Sequence, residues 1–162
     1  LVPYNYRFGL IAAGIGIVFS LMLHFMEMTY NQSPVIQTVQ TLIPAAVAVI
    51  AILTFKKDNS GLLSLKQSIK LGVGVFLVAG IIGLIYFAIF INVLEPDFIT
   101  NTAQLQADIL RETKPEIGED MIQMQQENTE KFFYISFPFI LIMNVLIGLV
   151  VGLITGLFAK KN

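Results

Sequence analysis

Four long apolar blocks constrain this chain more than any other feature, at positions 8–28, 34–55, 69–94 and 132–159. A helix needs about 20 apolar residues to cross the hydrocarbon core of a bilayer, and each block meets that length. Lipid offers the backbone no hydrogen-bond partners, so segments this long and this apolar must be helices. The sequence therefore reads as an all-α integral membrane protein, a four-helix bundle forming a single membrane domain over 1–162. Composition agrees: 56% of residues are hydrophobic and only 13% are charged, against about 25% charged in soluble domains. Blocks three and four are long enough to tilt or to project beyond the bilayer. Pro44 is expected to kink the second helix, and Pro138, about two turns into the fourth block, to bend that one.

Arg7 resembles the basic flank of a cleaved signal peptide, but the block 8–28 is too long for one and no small-x-small cleavage site follows it. The first residue is Leu1 and not methionine, so a short preceding piece is expected. The absence of cysteine excludes disulfides and thiolate metal sites. A net charge of −1 and unclustered basic residues give no surface for nucleic acid.

Charge supplies the sidedness. Arg7, Lys56, Lys57, Lys66, Lys70, Lys160 and Lys161 make up seven of the ten basic residues and fall at one set of block ends. Nine of the eleven acids (Glu95, Asp97, Asp108, Glu112, Glu116, Glu119, Asp120, Glu127 and Glu130) lie between blocks three and four. Positive charge stays on the cytoplasmic side, so both termini are expected in the cytoplasm and segment 95–131 outside it. Tyr4, Tyr6, Tyr30, Phe132, Phe133 and Tyr134 fall where aromatic belts form.

Segment 95–131 is too long for a plain loop. Glu95-Pro96-Asp97 reads as a helix start, with proline in the first turn and carboxylates at the positive end of the dipole. Phe98, Leu105 and Ile109 recur at helical spacing, with Ile99 and Thr102 nearby. After Lys114-Pro115 a second helix is expected from Glu116, with Ile117, Met121 and Met124 on its apolar face. Anionic bilayer surfaces repel acidic charge, which favours a cap over the outer ends of the bundle rather than helices lying on lipid.

Gly148, Gly152 and Gly156 form a ladder that lets another helix backbone approach closely. Gly72, Gly74, Gly80 and Gly83 give the third span a small face to receive it; packing against another chain is the alternative. His24 and Glu27, three residues apart, read as a pair on one helical face near the outer end of the first span. Interfacial satisfaction is their expected role, with a proton-linked or cation site as the functional alternative. Gln37, Gln40, Asn92 and Asn144 read as hydrogen-bonding glue between helices. Lys66 and Lys70, one turn apart at the Ser64-x-x-Gln67 capping box, are placed to meet anionic lipid headgroups or a partner's acids.

No enzyme is expected. The chain has no phosphate-binding glycine loop, no H-E-x-x-H and a single histidine. Glu116, Glu119 and Asp120 lack the alternating spacing of a calcium loop, so neither metal nor cofactor is expected.

The lysine-led glycine-rich stretch from Ile69, the run Asn92-Val93-Leu94-Glu95-Pro96-Asp97-Phe98, the Gln/Glu/Met-rich external stretch and the closing Ala159-Lys160-Lys161-Asn162 carry a further signal. Together they resemble a family of small four-span membrane proteins of Bacteroidetes, domain of unknown function 4199. The resemblance implies an inner-membrane location in a Gram-negative cell and an accessory role, and it carries no catalytic residues. It also implies, as one partner, a membrane glycosyltransferase working on polyprenyl phosphate. The expected function is thus a non-enzymatic subunit that packs against another membrane protein or against itself. A small homo-oligomeric transporter or channel, lined by Gln37, Gln40, Asn92 and Asn144, is the alternative.

Overall fold

A computed structural model describes residues 1–161. It is all-helical, with four helical runs long and apolar enough to cross a membrane: Val2–Phe25, Pro34–Asp58, Leu65–Leu94 and Glu119–Ala159. The elements are α1 (Val2–Phe25), α2 (Pro34–Asp58), α3 (Leu65–Ile89) continued by a π-helical turn (Phe90–Leu94), α4 (Phe98–Thr113), α5 (Glu119–Phe132), a 3-10 turn (Phe133–Ile135) and α6 (Ser136–Ala159). Two compact units result, Leu1–Leu84 with the chain from Ile140 onward, and Ile85–Phe139.

In the first unit all four long helices contribute small or branched residues to a common core. Phe8 and Ala12 of α1, Val47, Ala48 and Ala51 of α2, and Val75 and Phe76 of α3 are buried together, with Ile147 and Val151 of α6 against them. Phe8 and Ala12, Val47 and Ala51, and Ile147 and Val151 are each four residues apart, and Val75 and Phe76 continue the buried stripe of Leu71 and Gly72. Each helix thus offers one stripe. The remaining faces stay apolar though exposed: Phe158 is 90% and Phe25 79% exposed, a surface suited to lipid and not to water.

Helix ends depart from the apolar blocks. Hydropathy marks the part that crosses lipid, whereas backbone caps set where a helix stops. α1 begins six residues before Phe8, with Pro3 in its first turn, and ends at Phe25. The bonds Glu27 N–H to His24 C=O (3.0 Å) and Met28 N–H to Leu23 C=O (2.8 Å) close it as a Schellman motif. Ser33 caps α2, accepting from the Val35 N–H, and α2 runs through Pro44 without a break. Pro138 falls in the first turn of α6 and not two turns inside it. A proline ring there removes the N–H that would bond back to Tyr134, and the chain tightens into a 3-10 turn at that point.

At one end of this unit the N-terminus, the α2–α3 loop and the C-terminal tail meet. The Tyr4 hydroxyl donates to the Asp58 carboxylate at 2.7 Å. Leu63 and Lys161 exchange both backbone hydrogen bonds, at 2.8 and 3.0 Å, a single antiparallel bridge. The Leu63 side chain is fully buried with Ile52 and Leu71, and Leu1, Phe55 and Ala159 pack around it.

The second unit holds the acidic helices. α4 starts at Phe98, with Asp97 as its N-cap, so Glu95 and Pro96 precede the helix instead of opening it. α5 starts at Glu119 after Gly118, three residues later than expected, which leaves Glu116 and Ile117 outside it. Ala103 and Ala107 of α4 and Ile122 of α5 are buried; the alanines present little bulk to the partner helix.

Candidate interaction site

The glycine ladder faces inward. A Cβ on Gly152 would lie 2.7 Å from the Ser68 carbonyl oxygen and 2.8 Å from the Ile69 Cα. One on Gly148 would lie 2.7 Å from the Gly72 carbonyl oxygen, and one on Gly156 would lie 2.8 Å from the Leu65 Cδ1 and the Ser68 Cβ. A Cβ on Gly72 would meet the Gly148 carbonyl and sit 2.8 Å from the Gly152 Cα. Backbone thus lies on backbone, the arrangement that small residues permit in lipid. Ser68, fully buried, adds a hydrogen bond from its hydroxyl to the Gly152 carbonyl at 2.7 Å.

The other third-span glycines do different things. Gly80 receives Leu141 and Asn144 at looser distances of 3.3 and 3.4 Å. Gly83 faces open space, with nothing within 4 Å of an added Cβ, so it lies outside the seam. Gly74 carries the Asn5 side chain of α1 rather than α6. Asn5 escaped the sequence reading because a lone polar residue at a span end has no periodic signature.

Three of the intramembrane polar residues, Gln37, Asn92 and Asn144, bond to backbone carbonyls four or five residues back. The Gln37 amide donates to the Gln32 carbonyl at 3.3 Å, and Asn144 donates to the Ile140 carbonyl of its own helix at 2.9 Å. Gln40 lies exposed on α2. Asn92 donates to the Ala88 carbonyl at 2.7 Å and reaches the Tyr134 hydroxyl at 3.4 Å, so it alone of the four bridges distant segments. His24 and Glu27 do not share a helical face: α1 has ended, Glu27 takes a left-handed φ of 58°, and the His24 Nδ1 lies 3.2 Å from the Thr29 Oγ1. The capping box forms, Ser64 N–H to Gln67 Oε1 at 2.8 Å and Gln67 N–H to Ser64 Oγ at 3.2 Å. Lys66, inside the box, and Lys70, three residues past Gln67, are exposed on α3.

The second unit carries a concavity. It is an open groove of about 690 Å³ lined by Gln106 of α4, by Met121, Met124, Gln125, Asn128, Thr129 and Phe132 of α5, and by Phe133 and Ser136. Its lining carries no charge. The expected apolar stripe of α5 is therefore outward: Met121 and Met124 are 57% and 49% exposed, while the neighbouring Ile122 is the residue that packs inward. Gln126 turns to α4 instead, donating to the Gln104 side chain at 3.1 Å.

One wall of the unit is stiffened by aromatic rings. Phe87 meets Phe98 edge-on at 5.3 Å, Phe98 meets Phe133 at 6.2 Å, and Tyr134 meets Phe137 at 5.4 Å. Edge-to-face pairs of this kind are worth about 0.5–1.5 kcal/mol each beyond area burial. At the far end of the hairpin Arg111 holds Asp108 at 2.7 Å and also pairs with Glu119. The hydrogen bond from Arg111 is the largest influence holding the Glu119 carboxyl below the ordinary carboxylate range, and the same bond raises the Arg111 guanidinium. Among the described residues no group of three or more His, Cys, Asp or Glu is placed to hold a metal ion.

The family model described as "Protein of unknown function (DUF4199)" matches residues 7–161. The chain belongs to the DUF4199 family. The match takes in all four apolar runs except the first five residues of α1, together with the whole of α4 and α5. No curated protein and no solved structure matches this DUF4199 chain.

Proposed function

We propose that this DUF4199 protein is a non-enzymatic accessory subunit of the bacterial inner membrane that packs against another integral membrane protein. The observation that carries the reading is the α5 groove. Met121, Gln125, Asn128 and Phe132 follow at spacings of four, three and four, the pattern of a helix face that receives another helix. Methionines suit such a face because an unbranched thioether adapts its shape to what lies on it. The glycine ladder, the other association motif in the chain, is occupied by Gly72 and Ser68 of the same protein.

In this reading both termini are cytoplasmic and the segment 95–131 is periplasmic. The charge distribution supports it, since lysines flank the end where Leu63 pairs with Lys161 and such residues are retained on the cytoplasmic face. A membrane glycosyltransferase working on polyprenyl phosphate is one partner of this kind. A homo-oligomeric channel has less support, because Gln37, Asn92 and Asn144 are each hydrogen-bonded to nearby backbone and so are not held ready for a permeating solute.

Gentle solubilisation and affinity purification from the native host tests the proposal. A second membrane protein should be recovered in constant ratio and released by the double substitution Met124→Glu, Phe132→Glu. Repeated recovery of a bare monomer would overturn it, and recovery of the chain with copies of itself alone would replace it with self-association.

A further inference from the structure

The end of the first unit where three chain segments meet is basic, and its geometry is held in place. Leu63 and Lys161 are joined main chain to main chain by bonds of 2.8 and 3.0 Å. This ties the C-terminal tail to the loop that enters α3, three residues ahead of Lys66. α6 reaches that point in direct contact with α3, since a Cβ on Gly156 would lie 2.8 Å from Leu65. Lys160 and Lys161 therefore continue from a helix end seated on the first turn of α3, the same turn that carries Lys66. Lys70 follows one helical turn later. All four lysines are exposed. Asp58, the nearest acidic side chain in sequence to Lys66, accepts a hydrogen bond from Tyr4.

We infer that Lys66, Lys70, Lys160 and Lys161 form a docking surface for the phosphate-bearing headgroups of anionic phospholipids. Four cations stand at the border of an apolar surface, where exposed Phe158 immediately precedes the tail. A phospholipid matches both parts, with acyl chains against the apolar helix faces and an anionic phosphate among the ammonium groups. A soluble phosphate would match only the second part. Each lysine beside an anionic lipid surface is worth about fivefold in affinity, so the cluster gives a strong preference for anionic over zwitterionic lipid. The Leu63–Lys161 bridge holds the Lys161 backbone beside the loop that leads to Lys66.

Native mass spectrometry of the full chain in neutral detergent, with phosphatidylglycerol or phosphatidylcholine added, tests the inference. The wild type should retain phosphatidylglycerol at least tenfold better, and the preference should fall in high salt. Each double substitution, Lys66→Gln with Lys70→Gln or Lys160→Gln with Lys161→Gln, should reduce the preference, about fivefold per lysine removed. The four Lys→Arg changes should preserve it, as should Lys114→Gln with Lys131→Gln in the second unit. Equal retention of the two lipids by the wild type would refute the inference, as would an unchanged preference in both glutamine variants. Displacement of the lipid by millimolar glycerol phosphate would show a site for free anion and would equally overturn it. The result does not depend on a protein partner.

Discussion

The Ser68 hydroxyl donates to the Gly152 carbonyl across 2.7 Å, inside a seam where α3 and α6 have no side chain between their backbones at Gly72, Gly148 and Gly152. Hydrophobic driving force is weak between helices that are already in lipid, so this fit and the dispersion contacts it allows carry the association. Nothing flexible opposes Gly152: the atoms 2.7 and 2.8 Å from an added Cβ are backbone. Gly152→Leu should therefore cost about 3 kcal/mol or more, the upper end of overpacking effects. Gly83→Leu, in open space on the same helix as Gly72, should stay within about 0.5 kcal/mol of wild type. Thermal denaturation in detergent separates the two, and equal stability of both variants would remove the seam from the account of folding.

Removing only the hydroxyl is a milder test. Ser68→Ala keeps the close approach and deletes one interhelical hydrogen bond, a change averaging about 0.6 kcal/mol in membranes. Ser68→Val adds bulk where the Ser68 Cβ already limits Gly156 to 2.8 Å from an added Cβ, and should be clearly worse. A valine variant as stable as the alanine variant would show that α6 can shift away without loss.

Which of these features can be read from the sequence follows from how local their causes are. The four spans are legible because bilayer thickness and backbone hydrogen bonding act on length and apolarity alone. The glycine ladder is legible because it is periodic. Span ends are not: Glu27 looks helical by spacing, yet a two-bond cap closes α1 before it. The role of Asn144 is hidden too, since a side chain bonded to the carbonyl four residues back looks no different in sequence from one reaching a neighbouring helix. The inward residue of α5 is Ile122 and not Met121 or Met124, because the alanines of α4 set which side of α5 can approach. The Leu63–Lys161 bridge joins residues about a hundred positions apart and has no signature in either segment.

Glu27 supplies a test of helix termination. Its φ of 58° places an L side chain in the left-handed region, at the position of a Schellman cap that glycine normally fills. Glu27→Gly should stabilise the protein by about 1 kcal/mol, and Glu27→Ala, which keeps the strain, should not. Were Glu27 a buried ionic partner of His24, both changes would destabilise. Chemical or thermal denaturation of the two variants in detergent distinguishes these outcomes.

The Arg111–Glu119 pair sets a pH dependence with a definite sign. The Glu119 carboxyl is held below its ordinary value, first by the hydrogen bond from Arg111 and also by its charge. A depressed carboxyl pKa stabilises the fold above the ordinary carboxylate pKa, and that contribution is lost as pH falls through the lowered value. The α4–α5 connection should therefore loosen on acidification from mildly acidic pH downward and be unaffected between neutral and alkaline pH. Both partners are partly exposed, with side chains 35% and 53% accessible, so salt should weaken the effect. An NMR titration of the Glu119 carboxyl should give a midpoint below that of a model glutamate, and Arg111→Gln should return it to the ordinary range. An identical midpoint in that variant would mean that the ion pair does not hold the hairpin in solution.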